Sequence, residues 1–379
     1  MMTSTWLLAA SLALAAPPAA AQSLTTLFSF QGSAGANPYA PLFSRGGFLY
    51  GTTNSGGSGG GGTVVRIDAR TGAPTTLHSF TGAPDGAIPF AGLIYHDGTL
   101  YGTTAAGGTS NFGTVFAIDP STGDETVLHA FSGPDGETPF GGLIYQGALL
   151  YGTTLQGGTS GHGTVFTVDP KSRSEKVLYS FAGGTDGAEP AASLLYLHGA
   201  LFGTTAFGGG TGCGHTGCGT IFKVDPATGA ESVLHTFGGA GDGTNPEAPL
   251  IVHDGTLYGT ATSGGASRQG AVFAFNPKTG DESVLYSFAG APDGAAPYGA
   301  VIVHHGLLYG TTAGGGATHS GTIFAIDPAT GAETVRYSLA AHTDGKTPEA
   351  ALIARGGALY GTTLNGGADG NGTAFKFSP

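Results

Sequence analysis

Tryptophan is all but missing from this chain. The one copy, Trp6, falls in the first apolar stretch, so the body of the protein lacks the indole platforms on which many sugar sites are built. Only two cysteines occur, which excludes a disulfide-stapled scaffold and a four-cysteine zinc site. Charge is sparse at 10% of residues, with 13 basic against 25 acidic side chains. The resulting net charge of −12 disfavours phosphate backbones and anionic lipid, and no nucleic-acid partner is expected. No segment has a helical period, no apolar run reaches the roughly 20 residues of a membrane span, and neither a phosphate loop nor His-Glu-x-x-His occurs. The stretch 56–62 matches a dinucleotide fingerprint and a nucleophile elbow by glycine content alone. Each motif needs a strand leading into a helix, and here another strand follows.

What is abundant is glycine, 72 residues, in a regular design. An aromatic-Gly-Thr anchor recurs at Tyr50, Tyr101, Tyr151, Phe202, Tyr258, Tyr309 and Tyr360, in steps of 51, 50, 51, 56, 51 and 51 residues. Seven copies of a unit near 50 residues define a repeat architecture and override a length-based domain count. Each unit reads as four short strands. Strand d alternates, as in Thr126 to Phe131. An Asp-Gly-x-x-Pro loop follows, then strand a (Ala91 to Tyr95), an Asp-Gly hairpin turn, strand b (Thr99 to Thr104), a glycine loop, strand c (Gly113 to Asp119), and an Asp-Pro-x-x-Gly turn into the next strand d.

Both faces of strand c are apolar, so both must be covered, and radial packing of four-stranded blades meets that need. The chain begins with a lone strand d at residues 24–30 and stops after a seventh strand c. The sequence therefore predicts an all-β, seven-bladed β-propeller of antiparallel blades, closed by the N-terminal strand completing the last blade. A β-solenoid is the rival, though its coils are usually shorter and it would need caps. The division expected is 1–21 as a signal peptide and 22–379 as the seven-repeat propeller. Trp6 to Ala16 is apolar, and Ala19-Ala20-Ala21 precedes Gln22 in small-residue cleavage style. An exported protein, periplasmic or secreted, and a monomer, is expected.

The run Leu-Tyr-Gly-Thr-Thr, Gly-Gly, Gly-Thr-Val-Phe, Asp-Pro resembles the Gloeobacter/Verrucomicrobia (GloVer) tandem-repeat family over about residues 24–379. The first unit departs from it at Val65-Arg66 and Asp68-Ala69. The resemblance implies a surface or exported β-propeller-like protein. Members often carry a C-terminal anchor, and none is visible after Phe377-Ser378-Pro379.

The d-to-a and b-to-c loops are the longer ones and share a face, where binding usually resides. Six d-to-a loops bear an aspartate: Asp85, Asp135, Asp186, Asp242, Asp293 and Asp344. Glu137, Glu189, Glu247 and Glu349 lie in or beside these loops, against Lys346 alone. The aspartates, with Glu137 and Glu189, are the candidate ligand-binding residues; the plain alternative is that each aspartate caps its own turn. No cofactor is expected, calcium being the one cation these oxygen-rich loops could hold. Cys213 and Cys218, five apart in an exported chain, are expected to pair, with a three-ligand zinc site including His215 as the rival. The remaining histidines read as solvated surface, and the asymmetric residues Arg268, His319, His342 and Lys346 as the groups whose convergence would signal catalysis. The preferred function is a non-catalytic binding or scaffold module for a protein, peptide or glycan. The alternative is a glycan-active hydrolase or lyase with its site at the mouth of the propeller channel.

Overall fold

The computed structural model describes residues 22–238 and 241–379; the expected signal peptide, 1–21, lies outside the described residues. Seven four-stranded antiparallel sheets make a seven-bladed β-propeller. The second blade is typical. Strands a to d are Ile94–His96, Thr99–Thr104, Thr114–Ile118 and Glu125–Ala130, hydrogen-bonded in that spatial order. Strand a is three residues long in every blade, which brings the extended segment ahead of it, not the strand itself, to the channel mouth.

The ring closes as expected. The strand Ser23–Ser29 completes the seventh blade against Thr373–Ser378, pairing Leu24 with Phe377 and Thr26 with Phe375. No blade is then left with an open strand c edge.

Each position of the anchor Tyr-Gly-Thr-Thr has its own structural role. The aromatic residue is core: Tyr101 and its six counterparts are at most 9% exposed. The glycine makes room for a ring, since a Cβ on Gly102 would stand 2.5 Å from Cζ of Phe116 on strand c. In the first unit Val65 replaces that phenylalanine, and there the nearest obstacle to a Cβ on Gly51 is Leu42. The first threonine stitches neighbouring blades, Thr153 Oγ1 donating to Ala192 O at 3.0 Å and Thr311 Oγ1 to Ala350 O at 3.0 Å. The second ties strand b to strand c through a buried hydroxyl pair, such as Thr104 with Thr114 and Thr312 with Thr322, each at 2.8 Å. The fifth blade replaces both members by alanine, Ala261 facing Ala271. Losing both partners at once leaves no hydroxyl without its mate, which is why the two changes occur together.

The core repeats between blades. Phe131, on strand d's exit, packs edge-on to Phe166 of the next blade, ring centroids 5.0 Å apart, and Phe181 repeats this with Phe222. All four rings are fully buried, and each blade interface gains the contribution of two large apolar side chains. In the enlarged fourth unit Cys213 and Cys218 form a disulfide in the b-to-c loop.

Candidate binding site at the channel mouth

The site is assembled from the residue after each d-to-a proline. In all seven units the residue before that proline is left-handed, from Ala296 at φ 54° to Thr347 at φ 60°. A non-glycine residue there is strained, and its own amide pays the strain back by docking on the preceding blade. Ile88 N donates to Gly61 O at 2.8 Å and Asn245 N to Cys218 O at 2.9 Å. The kink turns the chain inward, so that the post-proline residues Tyr39, Phe90, Phe140, Ala191, Glu247, Tyr298 and Glu349 ring the axis.

These seven positions are chemically unequal. Tyr39, Phe90 and Phe140 form an aromatic wall, Tyr39 standing edge-on to Phe90 at 5.3 Å and to Phe140 at 5.4 Å, with Phe90 and Phe140 4.6 Å apart. Opposite lie Glu247, Tyr298 and Glu349. The cavity between holds about 190 Å³, floored by small residues such as Gly141, Ala192 and Gly299. Burial, together with Glu189, pushes the Glu247 carboxyl up to about 7; burial and Glu247 push Glu349 up to about 7. Burial and the two glutamates also hold the phenols of Tyr39 and Tyr298 above their ordinary value. Among the described residues that line the mouth, none is Lys, Arg or His.

The expected aspartates sit elsewhere, in the turns at the outer end of the same loops. Each accepts backbone amides: Asp85 from Thr81 and Gly86 at 3.0 and 2.7 Å, Asp135 from Ser132 at 2.8 Å, Asp186 from Ala182 at 2.6 Å. Asp242 accepts from Gly238 and Gly243 at 2.9 and 2.8 Å, Asp293 from Ala289 and Gly294 at 2.8 and 2.6 Å, and Asp344 from Ala340 at 2.9 Å. Neither Glu137 nor Glu189 lines the mouth: Glu137 pairs backbone to backbone with Gln156, and Glu189, its own carboxyl raised by burial, adds to the rise at Glu247.

Strand d explains what the aspartates face. A bulge in every c-d pairing, between Val115 and Phe116 in the second blade, turns one side chain toward the loop. That side chain is His78, His129 or His235 in three blades, and Tyr179, Tyr286 or Tyr337 in three others. The tyrosines donate to Asp186, Asp293 and Asp344 at 2.8, 3.0 and 3.0 Å. The histidines approach Asp85, Asp135 and Asp242 at 3.2, 2.9 and 3.4 Å. They are therefore not free surface groups, as their scatter in sequence suggests: each side chain is 18–21% exposed beside an aspartate, and His78 and His129 are hydrogen-bonded to theirs. A glutamate that opens the next blade's strand d completes five of these groups: Glu125, Glu175, Glu231, Glu282 and Glu333. Burial and the neighbouring aspartate push each of the five up to about 7.

Arg268, His319, His342 and Lys346 do not converge on the mouth. Arg268 and His319 hold left-handed turn positions in b-to-c loops, and His342 and Lys346 line a shallow depression beside Asn365. The side chain of His215 lies outside what the structure describes. The residues that sequence reading passed over are Tyr39, Phe90, Phe140 and Tyr298. The signal that marks them is divergence at one fixed repeat position whose neighbours hardly change.

No helix among the described residues is long and apolar enough to cross a membrane. In architecture the chain is similar to an oligogalacturonate lyase solved in complex with manganese, at 12% identity and TM-score 0.58, covering 94% of this chain and 92% of that one. It is similar also to an oligogalacturonate lyase from Vibrio parahaemolyticus, at 10% identity and TM-score 0.55, covering 94% and 93%. Identities this low establish the shared fold only. No curated protein matches the sequence. The Gloeobacter/Verrucomicrobia repeat matches residues 17–217 and 212–375, and with the seven-fold anchor and the closed ring it places the chain in that repeat family.

Proposed function

We propose that this protein is an exported, non-catalytic binding module whose site is the channel mouth and whose ligand is an organic cation on an apolar body, such as the ammonium end of a peptide. The observation that carries the reading is the juxtaposition of the Tyr39, Phe90 and Phe140 wall with the Glu247 and Glu349 carboxylates in one cavity. Aromatic faces attract cations, and two half-buried carboxylates short of a positive partner gain most from one. The six loop aspartates add a negative field around the mouth that steers cations toward it. Export is supported by the apolar segment before Gln22 and by the Cys213–Cys218 disulfide.

Catalysis on a glycan is the second reading, favoured by the paired carboxyls. Acid and base roles require environments that push the two pKa values apart, whereas Glu247 and Glu349 are both raised to about 7. A polyanionic substrate such as oligogalacturonate would also meet like charge at this mouth.

The test is calorimetry with phenethylammonium, its neutral analogue phenethyl alcohol, a short basic peptide and a neutral oligosaccharide. The cations are expected to bind, more weakly as salt rises, and the neutral compounds not. Binding of the oligosaccharide alone would overturn the cation reading in favour of a glycan site.

A further inference from the structure

A cluster of potential ligands lies away from the mouth, on the seam between the fourth and fifth blades. His235 is the penultimate residue of the fourth blade's strand d, Asp242 follows in its loop, and Glu282 opens the fifth blade's strand d. One ligand atom from each lies within 4.8 Å of the others. His235 Nε2 is 3.4 Å from Asp242 Oδ2 and 3.9 Å from Glu282 Oε2. At bond lengths near 2.0–2.1 Å, tetrahedral ligands stand about 3.4 Å from one another, so the two separations from the imidazole are at or a little above the spacing a zinc ion would impose.

The bonding here is incomplete in a way that points to a missing cation. His235 Nε2 is buried without a hydrogen-bond partner, and beside it Glu282 Oε1 is unpartnered too, on a side chain only 9% exposed, as is the same oxygen of the other four seam glutamates. Two buried polar groups left unsatisfied side by side are costly, and a cation satisfies both. Asp242 is already oriented by the amides of Gly238 and Gly243, one on each oxygen, with Oδ2 3.4 Å from the imidazole nitrogen.

Two sister groups, His78 with Asp85 and Glu125 and His129 with Asp135 and Glu175, share the same spacing within 4.8 Å, and what sets them apart is how their histidines are bonded. His129 is 2.9 Å from Asp135, an ordinary hydrogen bond. His78 Nε2 bonds Asp85, whose Oδ2 also takes the amide and hydroxyl of Thr81. Tyr179 and Tyr286 satisfy their aspartates with a phenol. Only at His235, among these positions, does the ring nitrogen stand without a partner.

We infer that His235, Asp242 and Glu282 form a divalent transition-metal site, taking zinc or manganese through one imidazole and two carboxylates, and that the ion clips the fourth blade to the fifth. The donor set suits these borderline and oxygen-preferring cations, with water completing the coordination. An ion held only by the folded ring raises its stability by mass action.

The experiment uses chelator-treated full chain titrated with zinc chloride and manganese chloride by calorimetry, with melting temperature followed in parallel. His235→Tyr is the informative variant, because tyrosine stands at the same place in three sister blades and keeps the bond to aspartate. The double variant His78→Tyr with His129→Tyr is the control. Wild type and the control are expected to bind one ion tightly and to melt higher with it. His235→Tyr and Glu282→Gln should each weaken that binding at least about tenfold while melting normally without metal. Absence of binding by wild type for both metals, or a His235→Tyr titration matching wild type, would overturn the assignment.

Discussion

Glu247 and Glu349, two blades apart in the ring, share one channel mouth, and Glu247 adds to the burial that holds Glu349's carboxyl near 7. At this pKa the pair changes charge within the physiological range, and its affinity for a cation must follow. Binding of phenethylammonium is expected to strengthen from pH 6 to pH 8 as the carboxyls ionise. Calorimetry across that range checks it, and affinity independent of pH would remove the carboxylates from the site.

The seams between blades should make the fold itself prefer mild acid. The glutamates at the seams have a folded value near 7 against 4.5 unfolded, so their contribution is fully present below about 4.5 and is lost as pH rises through 7. Asp85 and Asp135 act oppositely: burial would raise them, but the bonds they accept hold them below 3.8, and their contribution disappears as pH falls through that lowered value. The melting temperature is therefore expected to be higher at pH 5.5 than at pH 8. A Glu175→Gln, Glu231→Gln, Glu333→Gln triple variant should flatten that slope, as thermal melts in matched buffers would reveal.

The buried threonine pairs invite a double-mutant cycle. Thr312→Ala leaves the Thr322 hydroxyl buried without its mate and should cost about 1–3 kcal/mol. Adding Thr322→Ala is expected to recover part of that loss, because the fifth blade already runs with Ala261 facing Ala271. Denaturant unfolding of the three variants measures the coupling, and strict additivity of the two losses would contradict the account.

Closure of the ring rests on the first strand. Phe30, 1% exposed, packs with Leu42 and Leu49 of the first blade and Ala374 of the seventh, so Phe30→Ala is expected to cost about 3–5 kcal/mol, as in any well-packed core. A loss below about 1 kcal/mol in denaturant unfolding would mean that the strand is not a structural part of the ring.

The repeat makes the fold legible: seven aromatic-Gly-Thr anchors, an apolar strand c and a lone first strand leave one closed architecture, while the register of Leu24 with Phe377 comes from the structure. The aspartates' turn-holding was legible too, since Asp before Gly at a loop entrance has that chemistry. The mouth was harder to read. Tyr39, Phe90 and Phe140 are neighbours only because a left-handed residue before each proline turns three distant loops to one axis, and nothing in a single unit reveals that convergence. The seam clusters were hidden for a related reason. His235 and Glu282 are 47 positions apart and meet only across a blade boundary, so no local ligand spacing announces them.

The central claim, that the channel mouth is the binding site, is tested most directly by calorimetry of phenethylammonium with the Glu247→Gln, Glu349→Gln double variant. The comparison is an Asp135→Asn, Asp186→Asn, Asp242→Asn, Asp293→Asn variant, which keeps the turn-capping oxygens. The account predicts at least a tenfold loss of affinity, about 1.4 kcal/mol, in the glutamate variant, and only a weaker salt dependence in the aspartate variant. Unchanged affinity in the glutamate variant, or loss confined to the aspartate variant, would contradict it and move the site to the outer loops.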